Sequence, residues 1–298
     1  MTVPVQICVV AHNEEAHILG CLQGIRAALE NAQDVISEVH IINNGSTDAT
    51  QSIAEQYVSS MENWFAHEVL KGDKANAWNL GLYEFALNDV LTIYIDGDCK
   101  ITPDTVNAFV QACKEKPEAY IYAGIPKTKG RTTEDTIRKT LAGNALSGNL
   151  FALSPRFVSR VRELNFKLPV GLIGDDSLLA WVSTHDFKLS NGRLDGLLVG
   201  VASAEFFYHR LSPTSISNIR LYIRRLQRYS LRHLQQCCIR QFLEKYDEFA
   251  LLPNKATQLY DYLSPKFIRK DSVITRYFDS RAFKEANLKK HRELPNGR

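Results

Sequence analysis

The chain has 298 residues, 45% hydrophobic and 23% charged, the balance of a globular protein rather than a disordered or fibrous one. No apolar run approaches the roughly 18 residues that span a bilayer, and the opening MTVPVQICVV lacks the basic start of a signal peptide, so a cytoplasmic location is expected. The net charge of +3 is unevenly spread: residues 1–219 carry a net −7 and residues 220–298 a net +10, which points the C-terminal part toward something anionic.

In chain order, VPVQICVVAHNEE reads as an apolar strand ending at a polar turn. HILGCLQGIRAALENA follows with Ile18, Cys21, Leu22 and Ile25 on one helical stripe. SEVHIINNGSTDAT repeats the plan, with Asp48 suited to cap the helix TQSIAEQYVSS. KANAWNLGLYEFAL is a third helical segment, leading into the strand LTIYIDGD. Such alternation predicts an α/β fold with a mostly parallel sheet flanked by helices. Ligands on these sheets bind beyond the carboxyl ends of the strands, so AHNEE, NNGSTD and DGD should converge on one crevice. After about residue 120 the alternation weakens. SGNLFALSPRFV and LIGDDSLLAWVSTHDFKL read as strand and helix pieces, AEFFYHRL as a late strand, and the chain from Ser215 as basic helix. The expected division is a binding and catalytic domain over 1–214, with halves about 1–120 and 121–214, and a helical C-terminal region over 215–298. The six cysteines have no C-x-x-C or zinc-ligand spacing and read as reduced, packed thiols.

The first chemical signal is at the end of the fourth segment. Strand residues Leu91 to Ile95 run into Asp96 and Asp98, separated by one glycine. Two acids this close repel, and each is costly to desolvate unless something positive sits between them. A divalent metal carrying a phosphate would serve; an Asp-Gly turn is the plainer alternative. A second pair, Asp175 and Asp176, precedes SLLAW and suits either a helix cap or acid–base work.

VVAHNEEAHILGCLQGI, IINNGSTDAT, KANAWNLG, YIDGD, GDDSLLAW and HRLSPTS…RRLQRYS resemble, in order and rough spacing, the motifs of family-2 glycosyltransferases, over about residues 3–230. The resemblance implies a GT-A fold, a nucleotide diphosphate sugar donor, Mn²⁺ or Mg²⁺, and inverting transfer to a glycan or lipid-linked acceptor. By the same resemblance Asp98 would touch the metal, with His209 as a further ligand, and Asp96 would face the ribose. Asp176 would be the general base, tuned or oriented by Asp175. Ala11, His12, Asn13, Glu14, Asn43 and Asn44 would hold base and ribose, and Lys74 and Asn79 the donor. Gly148, Arg225, Arg228 and Tyr229 would line the acceptor side. Two departures bear on this. Relatives that carry Asp in the Asn43–Asn44 stretch accept a uracil N–H there, whereas Asn both donates and accepts. R-x-x-R-Y also replaces Q-x-x-R-W, which with the missing membrane spans favours a single addition over a growing polymer.

In SISNIRLYIRRLQRYSLRHLQQ, Ile216, Ile219, Ile223 and Leu226 form an apolar stripe, while Arg220, Arg224, Arg228 and Arg232 stack at i, i+4. Like charges at that spacing cost a few tenths of a kcal/mol per pair when solvated, roughly. An anionic partner would reverse the sign: a phosphorylated or lipid-linked acceptor, an anionic membrane face met peripherally, or the acidic body of the chain itself. Two other functions remain open. A nucleotidyltransferase would carry a Gly- and Arg-rich triphosphate loop that AHNEEAHILG lacks. A non-catalytic nucleotide-binding module would not need two acid pairs, and no nucleic-acid signature is present.

Overall fold

The computed structural model describes residues 3–32, 35–85, 87, 89–127, 131–208 and 216–293. An eight-stranded sheet runs through its middle, in the order β3-β2-β1-β4-β7-β6-β8-β5. β1 (Val3–Ala11), β2 (Val35–Asn44), β3 (Trp64–Val69) and β4 (Leu91–Asp96) are mutually parallel. β7 (Leu150–Leu153) is antiparallel to both β4 and β6 (Ile121–Pro126). β8 (Leu198–Tyr208) lies parallel to β6 and antiparallel to the short β5 (Cys99–Ile101).

The central strands β4, β6 and β7 are buried almost throughout because both faces of the sheet are covered there. In β1, Val5, Ile7, Val9 and Ala11 join the cluster under α1 (Ile18–Glu30), α2 (Thr50–Val58) and α4 (Thr105–Glu115). Cys8 and Val10 join the opposite cluster, with α3 (Lys74–Tyr83), α6 (Pro155–Glu163) and α7 (Asp175–Thr184). α5 (Arg131–Leu141) packs on β6 and β8. The expected helical stripe on α1 is the buried one: Ile18, Cys21, Leu22 and Ile25. The edge strand β3 and helix α4 are elements the sequence reading did not pick out.

The C-terminal region shares the main core. Cys238, Ile239, Phe242 and Leu243 of α8 (Ile216–Tyr246) are buried in the same cluster as Trp78 of α3 and Leu179 of α7. α8 also packs on α9 (Val273–Glu293), with Leu231, Leu234, Ala282 and Ala286 buried between them. At the start of α8 the apolar stripe is exposed at Ile223 and half-buried at Leu226; the side chains of Ile216 and Ile219 lie outside the described residues. All six cysteines are free thiols. Among the described residues, no helix is long and apolar enough to cross a membrane.

Register sets the site. Ala11 pairs with Asn43 and Val10 with Asp96, so the ends of β1, β2 and β4 stand side by side. The three polar turns therefore meet, as the alternation predicts.

Candidate active site

The turns after β1 and β2 are zipped together. Asn13 takes a left-handed backbone, φ 56°, which Asn tolerates better than most residues. Its backbone N–H donates to Ser46 Oγ at 2.9 Å, and its side-chain oxygen accepts from the Thr47 N–H at 2.8 Å. Glu15 Oε2 accepts from the Ala49 N–H and Asp48 Oδ2 from the Glu15 N–H. Asp48 Oδ1 also accepts from Thr50 N–H and Oγ1, at 3.0 and 2.6 Å, so it holds the start of α2, although Ala49 occupies the cap position. His12 is exposed and donates Nδ1–H to the Asn44 carbonyl at 2.8 Å. Asn44 Oδ1 accepts from the Asp73 N–H at 2.7 Å. Asn43 is buried, and its Oδ1 has no hydrogen-bond partner.

Glycine between the two acids of DGD has a steric reason. A Cβ on Gly97 would sit 2.7 Å from Ala11 Cβ, so the close approach of β1 and β4 at this level needs a small residue on each side. Lys74, on the first turn of α3, reaches Asp96 Oδ1 at 2.6 Å, Asp175 Oδ2 at 3.8 Å and the Gly148 carbonyl at 3.2 Å. Asn149 donates to the other Asp96 oxygen at 3.2 Å. Burial pushes the Asp96 carboxyl up to about 6, against the pull of Lys74, and Asp98 and Asp175 add to the rise. Burial alone would lower the Lys74 pKa, but Asp175, Asp96 and Asp176 outweigh it, so the amine is held above its ordinary value and stays cationic.

The second acid pair opens α7. Gly174, left-handed at φ 94°, is the N-cap, and both acids lie in the first turn; the capping role open to them in the sequence falls instead to glycine. Asp175 is buried, and its Oδ2 has no hydrogen-bond partner. Asp176 is half-buried, and its Oδ1 accepts from the Ser177 N–H at 2.7 Å and meets Arg232 Nη2 at 3.0 Å. Arg232 also donates to Ser177 Oγ. Burial raises the Asp176 pKa; Arg232 opposes the rise and Asp175 adds to it.

These groups border one cavity of about 700 Å³. Lys74, Asp96, Asp98, Asp175 and Asp176 line it together with Gly148, Arg225, Arg228 and Tyr229. Of the residues expected on the donor side, Lys74 and Asp96 line this space with the four expected on the acceptor side, whereas Ala11, His12, Asn13, Glu14, Asn43 and Asn44 are not part of its lining. Gly148 lies close to the second acid pair: a Cβ there would be 3.2 Å from Asp176 Cβ. Asn79 does not line the cavity either. Its Nδ2 donates to the Leu168 carbonyl and its Oδ1 accepts from the Leu168 N–H, both at 2.9 Å, so it staples the loop before α7 and borders a separate depression with Tyr83 and Lys167. His209 lies outside the described residues. Two site residues escaped the sequence reading, Asn149 and the Asp176 contact of Arg232. Only the i, i+4 series of arginines hinted at the latter.

Among the described residues, no three His, Cys, Asp or Glu side chains are grouped to hold a metal. Hard cations such as Mg²⁺ need only one or two protein carboxylates when phosphates and water complete the shell. The donor set fits that demand. Asp98 is half-buried on the cavity wall, and Asp96, with both oxygens bonded, is the less available of the two. The local field favours a cation as well: burial, then the charge of Asp98, pushes the Glu14 carboxyl up, with a smaller contribution from Asp96.

A mostly parallel sheet with acids at its strand ends and a second acid pair across a cavity defines an α/β class with one ligand-sized crevice, and comparison with known proteins gives the family. Residues 6–172, more than half of the chain, match the Glycosyl transferase family 2 model, and the chain belongs to that family. A candidate glycosyltransferase, EpsH of Bacillus subtilis (strain 168), is 32% identical over 143 residues, which cover 47% of this chain and 39% of EpsH; the match thus spans about two fifths of that relative. Among solved structures, mannosyltransferase PcManGT from Pyrobaculum calidifontis, in complex with GDP-Man and Mn²⁺, aligns over 97% of this chain and 76% of its own, with TM-score 0.59 and 18% identity. S. aureus TarS 1–349 in complex with UDP-GlcNAc aligns over 100% and 93%, with TM-score 0.52 and 15% identity. At these identities the likeness establishes the fold, which is GT-A.

Proposed function

We propose that the chain is a metal-dependent, inverting glycosyltransferase that moves one sugar per encounter from a nucleotide diphosphate donor to an acceptor hydroxyl, in glycan or glycolipid synthesis. One observation carries the reading: the Lys74–Asp96 pair and the Asp175–Asp176 pair border the same cavity. Asp176 is the better base of its pair. Its Oδ1 is engaged by Arg232 and the Ser177 N–H, which leaves Oδ2 to take the acceptor proton. Asp175 is buried beside Lys74 and serves to keep that amine charged and in place. In the step, the acceptor oxygen bonds to the anomeric carbon from one face as the carbon–oxygen bond to the diphosphate breaks on the other. The acceptor proton passes to Asp176, and the electron pair leaves with the nucleotide diphosphate. Lys74, Arg225 and Arg228 supply positive charge to phosphate oxygens. Asp98 would hold the Mn²⁺ or Mg²⁺, which when bound neutralises charge on the leaving diphosphate.

The base and ribose would lie over the His12, Asn13, Asn43 and Asn44 turns, and Asn43 offers a buried, unpartnered oxygen there. At the start of α8, Leu221, Tyr222 and Ile223 are exposed beside exposed Arg220 and Arg224, a mixture suited to peripheral contact with an anionic membrane; sedimentation with anionic but not neutral liposomes is expected. The donor is tested by thermal shift with UDP, GDP, CDP and dTDP and with UDP- and GDP-sugars, each with Mn²⁺, Mg²⁺ or chelator. A ligand at about 100 times its Kd stabilises by about 2.7 kcal/mol. One nucleotide should stabilise only with metal, and Asp176→Asn should keep that response while losing about 10²–10⁴ in turnover. No response to any nucleotide would remove the proposal.

A further inference from the structure

A second cavity, of about 440 Å³, lies on the other side of α7, a size typical of small-molecule sites. Two helix faces enclose it, Ser177, Leu178 and Trp181 from α7 and His233, Cys237 and Arg240 from α8. It adjoins the catalytic cavity, because Gly174 lines both. Arg232 lies against Gly174 so closely that a Cβ there would be 2.5 Å from its Nε, and the same guanidinium holds Asp176. One side chain therefore stands between the proposed base and the second cavity.

The walls favour hydrocarbon over sugar. Leu172, Leu178, Trp181 and Ile239 supply apolar surface. Ser177 Oγ accepts from Arg232, and His233 Nε2–H donates to the Phe267 carbonyl at 2.9 Å. Gln236 and Arg240 are the main lining side chains left to hydrogen-bond a carbohydrate, too few to replace the hydration that a sugar would lose against the apolar walls. Arg240 is exposed, with its guanidinium 5.9 Å from the Trp181 ring, which leaves charge at the rim rather than along the walls. We infer that this cavity receives the hydrocarbon portion of an amphiphilic acceptor, whose head group lies against Arg232, the side chain that holds Asp176. The word acceptor rests on the glycosyl-transfer reading; the hydrocarbon site does not.

Trp181 is a built-in reporter. It is half-buried in the cavity wall, whereas the other two tryptophans, Trp64 and Trp78, are buried elsewhere in the core. Hexyl, heptyl and octyl β-D-glucopyranosides, each below its micelle concentration, are titrated while fluorescence is followed, with methyl β-D-glucopyranoside as head group alone and Trp181→Phe as the blank. A saturable, Trp181-dependent change is expected, its affinity rising about fourfold per added methylene. Gln236→Phe fills the cavity from a half-buried position and should weaken octyl glucoside binding tenfold or more. Equal response to methyl and octyl glucoside, an affinity independent of chain length, or full binding in Gln236→Phe would each overturn the inference. Binding is read without turnover, so a failed nucleotide panel and a failed alkyl series are separate results. With an active donor in hand, chain length should lower the acceptor KM in the wild type and not in Gln236→Phe.

Discussion

Asp96→Asn removes a carboxylate whose pKa burial raises from 3.8 to about 6. A folded-state pKa above the unfolded one means that the folded protein binds the proton more tightly. The stability this carboxyl allows is whole below pH 3.8 and is lost as the pH climbs through 6. The difference of about 2 units, at 1.36 kcal/mol each, amounts to about 3 kcal/mol, of which about 2 kcal/mol falls between about pH 4.5 and about pH 7.5. The side chain is 24% exposed, so solvent trims rather than erases the effect. Lys74 does not titrate in this window, since its neighbouring carboxylates hold it above its ordinary value. Urea unfolding of both proteins at the two pH values isolates the term apart from the smaller contribution that Asp96 makes to the titration of Glu14. The wild type should lose about 2 kcal/mol more than Asp96→Asn as the pH rises. Equal slopes would refute the picture of Asp96 as a carboxylate that stays charged only at a cost from burial, despite its pairing with Lys74.

Arg232→Ala should raise the Asp176 pKa further, since burial already lifts it and Arg232 opposes the lift. The acidic limb of kcat/KM then moves up by about one pH unit, and added guanidinium ion should partly restore it; an unmoved limb would separate Arg232 from the base. Gly97→Ala places a methyl 2.7 Å from Ala11 Cβ and should cost about 1–3 kcal/mol in thermal unfolding, most of it recovered by adding Ala11→Gly. Arg269→Ala removes two guanidinium hydrogen bonds, at 2.8 and 2.9 Å, from the fully buried Asp279 of α9 and should cost about 3 kcal/mol. Burial lifts the Asp279 pKa, but bonds from Arg269 and Ser230 hold it below its ordinary value. The loss in Arg269→Ala should therefore be full at neutral pH and shrink as pH falls through that depressed pKa.

Where a property depends on near neighbours along the chain, the sequence alone determined it. Strand segments buried on both faces are mostly apolar, so β1, β4 and the buried second half of β2 were legible, and with them the meeting of AHNEE, NNGSTD and DGD at neighbouring strand ends. Helix α1 was legible from the 3.6-residue stripe of Ile18, Cys21, Leu22 and Ile25. Strand β3 was not: WFAHEV at the sheet edge has only Trp64 fully buried, and an edge strand imposes little pattern. Tertiary structure decided what each acid meets. Asn149 reaches Asp96 because β7 runs antiparallel to β4, and Arg232 reaches Asp176 because α8 packs beside α7, in each case across more than fifty residues of sequence. Asn79, placed on the donor side by resemblance, was turned onto Leu168 by the loop before α7. Periodicity records whether a side chain is buried, whereas the partner of a buried charge depends on the register of segments folded against it, which local sequence does not encode.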